Sequence, residues 1–107
     1  MIDQAAAPVA QGEVYRCAPD VLWMRDAGRV FLIAPQRGQA WSLAELDAAI
    51  WDWVVLDYRY LEIVHFISLI LRTSPEQAKK RLDATLHRWV NTGLIEAAGA
   101  TCRSGES

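Results

Sequence analysis

Hydrophobic residues change from strand-like to helix-like spacing before the middle of the chain. Two short apolar segments come first, at residues 21–24 and 30–33, and a third segment with strand character follows at residues 39–42. Turn residues, Gly28 and Gly38 among them, separate these segments, and this pattern is typical of antiparallel strands joined by short loops. It predicts a three-stranded meander. Residues 14–17 give a weaker signal for one more strand on the same sheet.

The third strand is predicted to run directly into a helix. Ser42 and Glu45 have the spacing of a capping box, and Trp41 and Leu46 have the spacing of a hydrophobic staple. Apolar residues then recur at helical spacing on Leu46, Ala49, Ile50, Trp53 and Val54. The pattern predicts a helix over residues 43–56, with Trp53 in the core and Trp41 at the joint.

A second helix is predicted over residues 60–72. Its core stripe consists of Ile63, Val64, Ile67, Ile70 and Leu71. Leu61, Phe66 and Leu69 lie outside that stripe, so the helix is apolar on more than one side. A second apolar side indicates a partner, or a homodimer formed through this helix.

The third helix has clear start and stop signals. Ser74 is a suitable N-cap, Pro75 suits the first helical position, and Gln77 stands at the capping-box position. Gly93 is placed to end the helix in a left-handed conformation. The residues predicted to face the core are Ala78, Leu82, Leu86, Trp89 and Val90.

Three strands followed by three helices predict an α+β fold of winged-helix-like architecture. Residues 94–97 add a last short extended segment. We expect one domain over residues 13–97, between flexible tails at residues 1–12 and 98–107.

Composition limits the classes of function. Of the 107 residues, 52% are hydrophobic and 22% charged, which is typical of a globular domain. The net charge of −2 argues against a general nucleic-acid binder. We expect no signal peptide, and the longest apolar stretch, residues 60–71, is too short to cross a bilayer. We therefore expect a cytoplasmic protein.

No motif of catalysis or metal binding is present in the sequence. Cys17 and Cys102 do not have zinc-ligand spacing, and His65 and His87 stand on different helices. No nucleophile elbow or glycine-rich phosphate loop occurs. We expect no enzyme activity, no cofactor and no metal.

Three motifs, in this order and spacing, carry a resemblance to a known family. They are Val30-Phe31-Leu32-Ile33, then Trp41-Ser42-Leu43-x-Glu45 with Ile50-Trp51, and Trp89-Val90-Asn91-Thr92-Gly93-Leu94. Together they resemble the PqqD-like family, the recognition elements of ribosomally synthesised and post-translationally modified peptides. The sequence departs from the family at Ala44, where Asn is usual, and at Trp89, where Leu is usual. The glycine usual after the first helix is also missing.

The resemblance implies a non-catalytic chaperone. Such domains bind the leader of a precursor peptide as an extra strand on the third strand, beside the third helix, and present it to a maturase, often a radical SAM enzyme. On the strand, the implied peptide-binding residues are Gln39, Ala40, Trp41, Ser42 and Leu43. On the helix they are Ala78, Arg81, Leu82, Thr85, Arg88 and Trp89.

Physical arguments independent of the family favour the same surface. The third strand has no proline or lysine to block its edge against a peptide. Arg81, Thr85 and Arg88 share one flank of the third helix, which would favour an acidic leader. The alternatives are an edge covered by the tails or a dimer mate, and a helix flank that is merely solvated.

Two other classes of function stay open. A winged-helix DNA-binding protein would use the third helix for recognition, although no basic wing follows Gly93. A scaffold subunit would dock on an enzyme through the apolar second helix. Binding of a leader peptide or of duplex DNA would discriminate between these classes.

Overall fold

Strands form most of the first half of the chain and helices most of the second in the computed structural model, which describes residues 14–97. The strands are β1 (Tyr15–Cys17), β2 (Leu22–Asp26), β3 (Arg29–Ala34), β4 (Gln39–Ala44) and β5 (Ile95–Ala97). The helices are α1 (Glu45–Val55), α2 (Tyr60–Leu71) and α3 (Pro75–Asn91). The predicted α+β class is confirmed. The predicted tails, residues 1–12 and 98–107, and Cys102 lie outside the described residues.

The predicted meander is present as an antiparallel sheet in the order β2-β3-β4. Ala27 and Gly28 connect β2 to β3 with φ angles of 53° and 79°, as a two-residue hairpin turn of the primed type requires. A single turn of 3-10 helix, Pro35–Arg37, connects β3 to β4. On β3, Val30, Leu32 and Ala34 are buried while the residues between them are exposed. One face of the sheet therefore covers the core.

The strand predicted from residues 14–17 exists, but its predicted place on the meander is wrong. β1 pairs with β5 in a separate two-stranded antiparallel sheet, in which Tyr15 lies opposite Ala97. Tyr15 and Ile95 are both buried in the common core, and β1 packs on α1. Burial of these two side chains thus holds β1 beside β5, in a sheet separate from the meander.

The joint between β4 and α1 differs from the prediction. Pairing with β3 keeps β4 extended as far as Ala44, which lies opposite Arg29. The helix therefore starts at Glu45, whose φ is 55°, and Ala44 provides no side-chain cap. The Ser42 hydroxyl instead accepts a hydrogen bond from Arg29 Nη1 at 3.0 Å. The predicted capping box and hydrophobic staple are wrong, because a cross-strand partner holds Ser42.

The buried face of α1 is rotated from the predicted one by about one residue, which is ~100° on a helix. The buried residues of α1 are Ala48, Ile50, Trp51 and Val54. Trp51 is fully buried, with its ring centroid 6.1 Å from that of Trp23 and 5.5 Å from that of Trp89. Trp53 is only half-buried and packs on Phe66 at 5.1 Å. The prediction that Trp53 belongs to the core is therefore wrong, since the sheet and α3 lie on the Trp51 side.

The second helix follows the prediction over its first two turns. Ile63, Val64 and Ile67 are buried, whereas Ile70 and Leu71, also predicted in the core, are 56% and 48% exposed. Both exposed residues lie in the last turn, just before Arg72 ends the helix at a φ of 54°. Of the predicted second apolar side, Leu61 and Leu69 are exposed and Phe66 is half-buried.

Helix α3 has the predicted ends. Ser74 Oγ accepts a hydrogen bond from the Gln77 backbone N–H at 3.2 Å, and Gly93 has a φ of 77°. The predicted inward residues are buried, except that Val90 is only partly so. Tyr60 joins α2 to α3 by donating a hydrogen bond to Asp83 Oδ1 at 2.6 Å.

Candidate functional site

A groove lies between strand β4 and the C-terminal half of α3. Its cavity has a volume of about 270 Å³. The lining residues are Trp41, Ser42, Leu43, Asp47, Arg88, Trp89, Thr92 and Leu94. Leu43, Trp89 and Leu94 belong to the core, so the floor of the groove is apolar. Its polar groups stand at the rim, where Asp47 and Arg88 face each other.

One wall of the groove is the edge of a sheet. β4 pairs with β3 along its whole length, and no other strand of the described residues pairs with its second side. An edge of this kind offers backbone N–H and C=O groups at the spacing that an extended peptide needs. Gln39 and Ala40 are exposed at the start of β4, and Ser42 is exposed beside the cavity.

The rim of the groove carries a cluster of one carboxylate and two guanidinium groups. Arg81 Nη2 donates a hydrogen bond to Asp47 Oδ1 at 3.2 Å. Arg88 Nη2 lies 3.6 Å from Asp47 Oδ2, close enough for an ion pair but too far for a hydrogen bond. Of the flank predicted on the third helix, Arg81 and Arg88 meet at Asp47, which partly neutralises them, whereas Thr85 is buried.

Arg37 contacts two of the residues that line the groove, Thr92 and Trp41. Its Nη1 donates to the Thr92 carbonyl oxygen at 2.6 Å and its Nη2 to the Gly93 carbonyl oxygen at 3.1 Å. Its Nε pairs with Asp20 at 3.0 Å, and its guanidinium lies 5.8 Å from the Trp41 ring centroid. A single side chain thus links the β3–β4 connection to the end of α3.

The structure divides the predicted site residues into three groups. Those that line the groove are Trp41, Ser42, Leu43, Arg88 and Trp89. Those that are exposed beside it are Gln39, Ala40 and Arg81. Those that are buried in the core are Ala78, Leu82 and Thr85. The last three side chains support the helix from behind, so a ligand in the groove does not reach them.

Three residues of the groove were missed from the sequence. Asp47 stands in the first turn of α1, where an acidic residue favours the helix dipole, and this position gave no sign of the two arginines on α3. Thr92 and Leu94 follow Trp89 closely, and their nearness to it was the signal that could have found them.

A second, apolar cavity of about 360 Å³ lies on the three-stranded sheet. Its lining residues are Leu22, Trp23, Met24, Phe31, Leu32, Ile33, Ala40 and Trp41. Trp41 is shared with the groove. Leu22 and Met24, at 62% and 60% exposure, are the most exposed of these hydrophobic residues.

No group of three or more histidine, cysteine or acidic residues within residues 14–97 could hold a metal ion. None of the helices in this range is long and apolar enough to span a membrane. Partial burial, reinforced by Asp20 and Glu96, raises the pKa of the Cys17 thiol and keeps it protonated.

Comparisons with known proteins found similarity to a solved structure but no matching family model or curated protein. A similar solved structure is that of TbiB1 in complex with the TbiA(beta) leader peptide. It has 22% sequence identity and a TM-score of 0.71, over 76% of this chain and 94% of TbiB1. The chain has the fold of that protein, and the predicted winged-helix-like architecture is confirmed.

Proposed function

We propose that this protein is a non-catalytic module that binds the leader of a ribosomally made precursor peptide. The observation that carries the proposal is the unpaired edge of β4 beside a groove with an apolar floor. TbiB1, which shares the fold, was solved with a leader peptide bound. The family resemblance of the sequence implies the same activity.

Strand addition explains how such a surface selects a peptide. An extended peptide on the β4 edge forms backbone hydrogen bonds, which supply affinity without regard to sequence. Its side chains alternate between two faces, so every second one enters the groove between β4 and α3. There it meets the apolar floor of Leu43 and Trp89 and the charged rim at Arg88.

Presentation to a maturase is the second part of the proposal. A radical SAM enzyme is one candidate for the maturase, as the resemblance implies. The groove lies between β4 and α3, whereas Leu22, Met24 and Phe31 line the part of the apolar cavity formed by β2 and β3, which stays available to a larger partner while a peptide is bound. Exposed apolar patches of this kind mark protein interaction sites.

The test uses fluorescein-labelled peptides encoded by short reading frames beside the gene, and a labelled DNA duplex as the competing class of ligand. We expect one peptide to bind with a dissociation constant of roughly micromolar or lower, typical of a small interface. Tight duplex binding that falls steeply with salt, without peptide binding, would favour a nucleic-acid-binding protein instead.

Strand addition is tested on the bound peptide itself. N-methylation of one backbone amide at a time removes a single donor. We expect affinity to fall at every second position, because alternate N–H groups face the partner strand. Equal losses at neighbouring positions, or no losses at all, would show that the peptide binds in another way.

A further inference from the structure

The carboxylate of Asp47 stands at the rim of the groove, where a ligand side chain would arrive. Its two oxygens face different guanidinium groups, Arg81 and Arg88, which lie two turns apart on α3. Arg81 donates a hydrogen bond to Asp47 and does not line the cavity, whereas Arg88 lines the cavity. Asp47 therefore has one partner that holds it in place and one that a ligand can share.

The Arg88 guanidinium has unused binding capacity. The distance of 3.6 Å to Asp47 leaves its N–H groups without a hydrogen bond to that carboxylate. No other hydrogen bond from this side chain is formed within residues 14–97, and the side chain is 54% exposed. A guanidinium can hold a carboxylate through two parallel hydrogen bonds, so Arg88 is suited to bind an acidic side chain of a ligand.

Asp47 opposes such a ligand. With two arginines and one aspartate, the cluster has a net charge of about +1, and a ligand carboxylate at Arg88 lies close to the carboxylate of Asp47. Like charges at the rim of a binding site weaken association and help a protein to reject wrong partners.

We infer that Arg88 binds a carboxylate of the peptide and that Asp47, positioned by Arg81, determines how strongly acidic peptides are preferred. This inference rests on the proposed peptide-binding function and adds to it the chemistry of one ligand position. In the free protein Asp47 acts as the internal counter-ion of Arg88. In the complex, Arg88 takes the ligand carboxylate and Asp47 stays with Arg81.

The experiment begins with a displayed library of random 16-residue peptides, selected on the wild-type protein. The most enriched acidic peptide is then synthesised with a fluorescein label, together with a twin in which each Glu is replaced by Gln and each Asp by Asn. Both are titrated against wild type, Asp47→Asn and Arg88→Gln. Asp52→Asn is the matched control, because Asp52 pairs with Arg25, away from the groove, and is as exposed as Asp47 (28% and 27%).

We expect the selected peptides to be enriched in Asp and Glu, and wild type to prefer the acidic peptide over its twin. Asp47→Asn should strengthen binding of the acidic peptide by about threefold to tenfold at low salt, with little effect on the twin. Arg88→Gln should remove the preference, and Asp52→Asn should leave both affinities unchanged. The gain in Asp47→Asn should decrease at ~1 M salt, where the Debye length is about 3 Å.

Three results would overturn the inference while leaving peptide binding intact. The selected peptides could lack an excess of Asp and Glu, or wild type could bind the acidic peptide and its twin with equal affinity. Asp47→Asn could also increase the affinity for both peptides equally. If Asp47→Asn does not fold, the comparison of the twins on Arg88→Gln still tests the assignment, because an acidic preference that survives in that variant would overturn it. Failure to enrich any peptide would instead count against the proposed function itself.

Discussion

Arg37 Nη1 donates a hydrogen bond to the carbonyl oxygen of Thr92 across a sequence separation of 55 residues, at 2.6 Å. Carbonyl groups at the end of a helix lack partners within the helix and carry partial negative charge. Arg37 supplies both a donor and a positive charge there. Arg37 thereby links the β3–β4 connection to the end of α3.

Replacing Arg37 should destabilise the protein more than an ordinary surface change. We expect Arg37→Ala to lower the free energy of unfolding by about 1–3 kcal/mol, since it removes charge-assisted hydrogen bonds. Arg16→Ala is the control, because Arg16 makes an exposed ion pair with Glu96 at 3.0 Å that is worth up to about 1 kcal/mol. Urea denaturation measures both. Equal losses would show that Arg37 contributes no more than a surface ion pair.

Gly93 and Gly28 form a matched pair for separating backbone strain from crowding. Both have positive φ angles, 77° and 79°, but a Cβ at Gly93 would lie 2.7 Å from Arg37 Nη1, whereas one at Gly28 would have no neighbour within 4 Å. We expect Gly28→Ala to cost about 1–2 kcal/mol from the left-handed backbone alone. Gly93→Ala should cost more, because the Arg37 guanidinium must also move.

A double-mutant cycle checks this explanation. In an Arg37→Ala background the cost of Gly93→Ala should fall to that of Gly28→Ala, because the crowded group is gone. Thermal or urea unfolding of the variants provides the values. A cost of Gly93→Ala that is independent of Arg37 would place the strain entirely in the backbone.

The two neighbouring tryptophans of α1 should differ in their contribution to stability. Trp51→Ala should cost about 3–5 kcal/mol or prevent folding, since the ring is fully buried between Trp23 and Trp89. Trp53→Ala should cost about 1–2 kcal/mol, because this ring is only half-buried on Phe66. Trp51→Phe keeps a ring in place and gives a folded variant for the comparison. A larger loss from Trp53→Ala than from Trp51→Ala would contradict the observed orientation of α1.

Stability should decrease at alkaline pH through Tyr60. Burial, followed by the hydrogen bond to Asp83, its charge and a smaller effect of Tyr15, raises the pKa of Tyr60 above the usual tyrosine value. The unfolded chain then loses this proton near pH 10, while the folded protein keeps it. The stabilisation is complete below about pH 10 and is lost as the pH rises further.

Phenylalanine variants test this pH dependence. Tyr60→Phe should be less stable than wild type at pH 7, because Asp83 loses its donor, and the difference should shrink above about pH 10. Tyr58, which is exposed, provides the control: Tyr58→Phe should keep the alkaline decline of wild type. A constant difference between Tyr60→Phe and wild type from pH 7 to pH 11 would contradict the assignment.

Features encoded within a few residues of sequence were predictable. Ser74 caps α3 and Gly93 ends it, because each acts on backbone groups of its own helix. Ser42 has an equally good local signal but bonds to Arg29 on the neighbouring strand. A local pattern cannot show that a non-local partner will take the hydroxyl, and the predicted cap of α1 failed for that reason.

The residues of the candidate site also divide into those that local sequence predicts and those that tertiary packing brings together. The β4 edge and the outer flank of α3 follow from strand order and helix periodicity, so Trp41, Ser42 and Arg88 were found. Asp47 and Arg37 belong to the site because of how α1 and the β3–β4 connection pack on α3. Periodicity within one element does not contain that information.

The fluorescence of the two tryptophans in the groove would report whether a ligand is bound there. Trp41 is partly exposed in the free protein, and Trp89 forms the floor next to it. A ligand in the groove would exclude water from the Trp41 indole, and indole emission moves to shorter wavelengths in a drier environment. Trp89 is also in ring contact with Trp51, which in turn contacts Trp23. Excitation energy can pass along this row, so the emission of the folded protein reports on the groove and the core together.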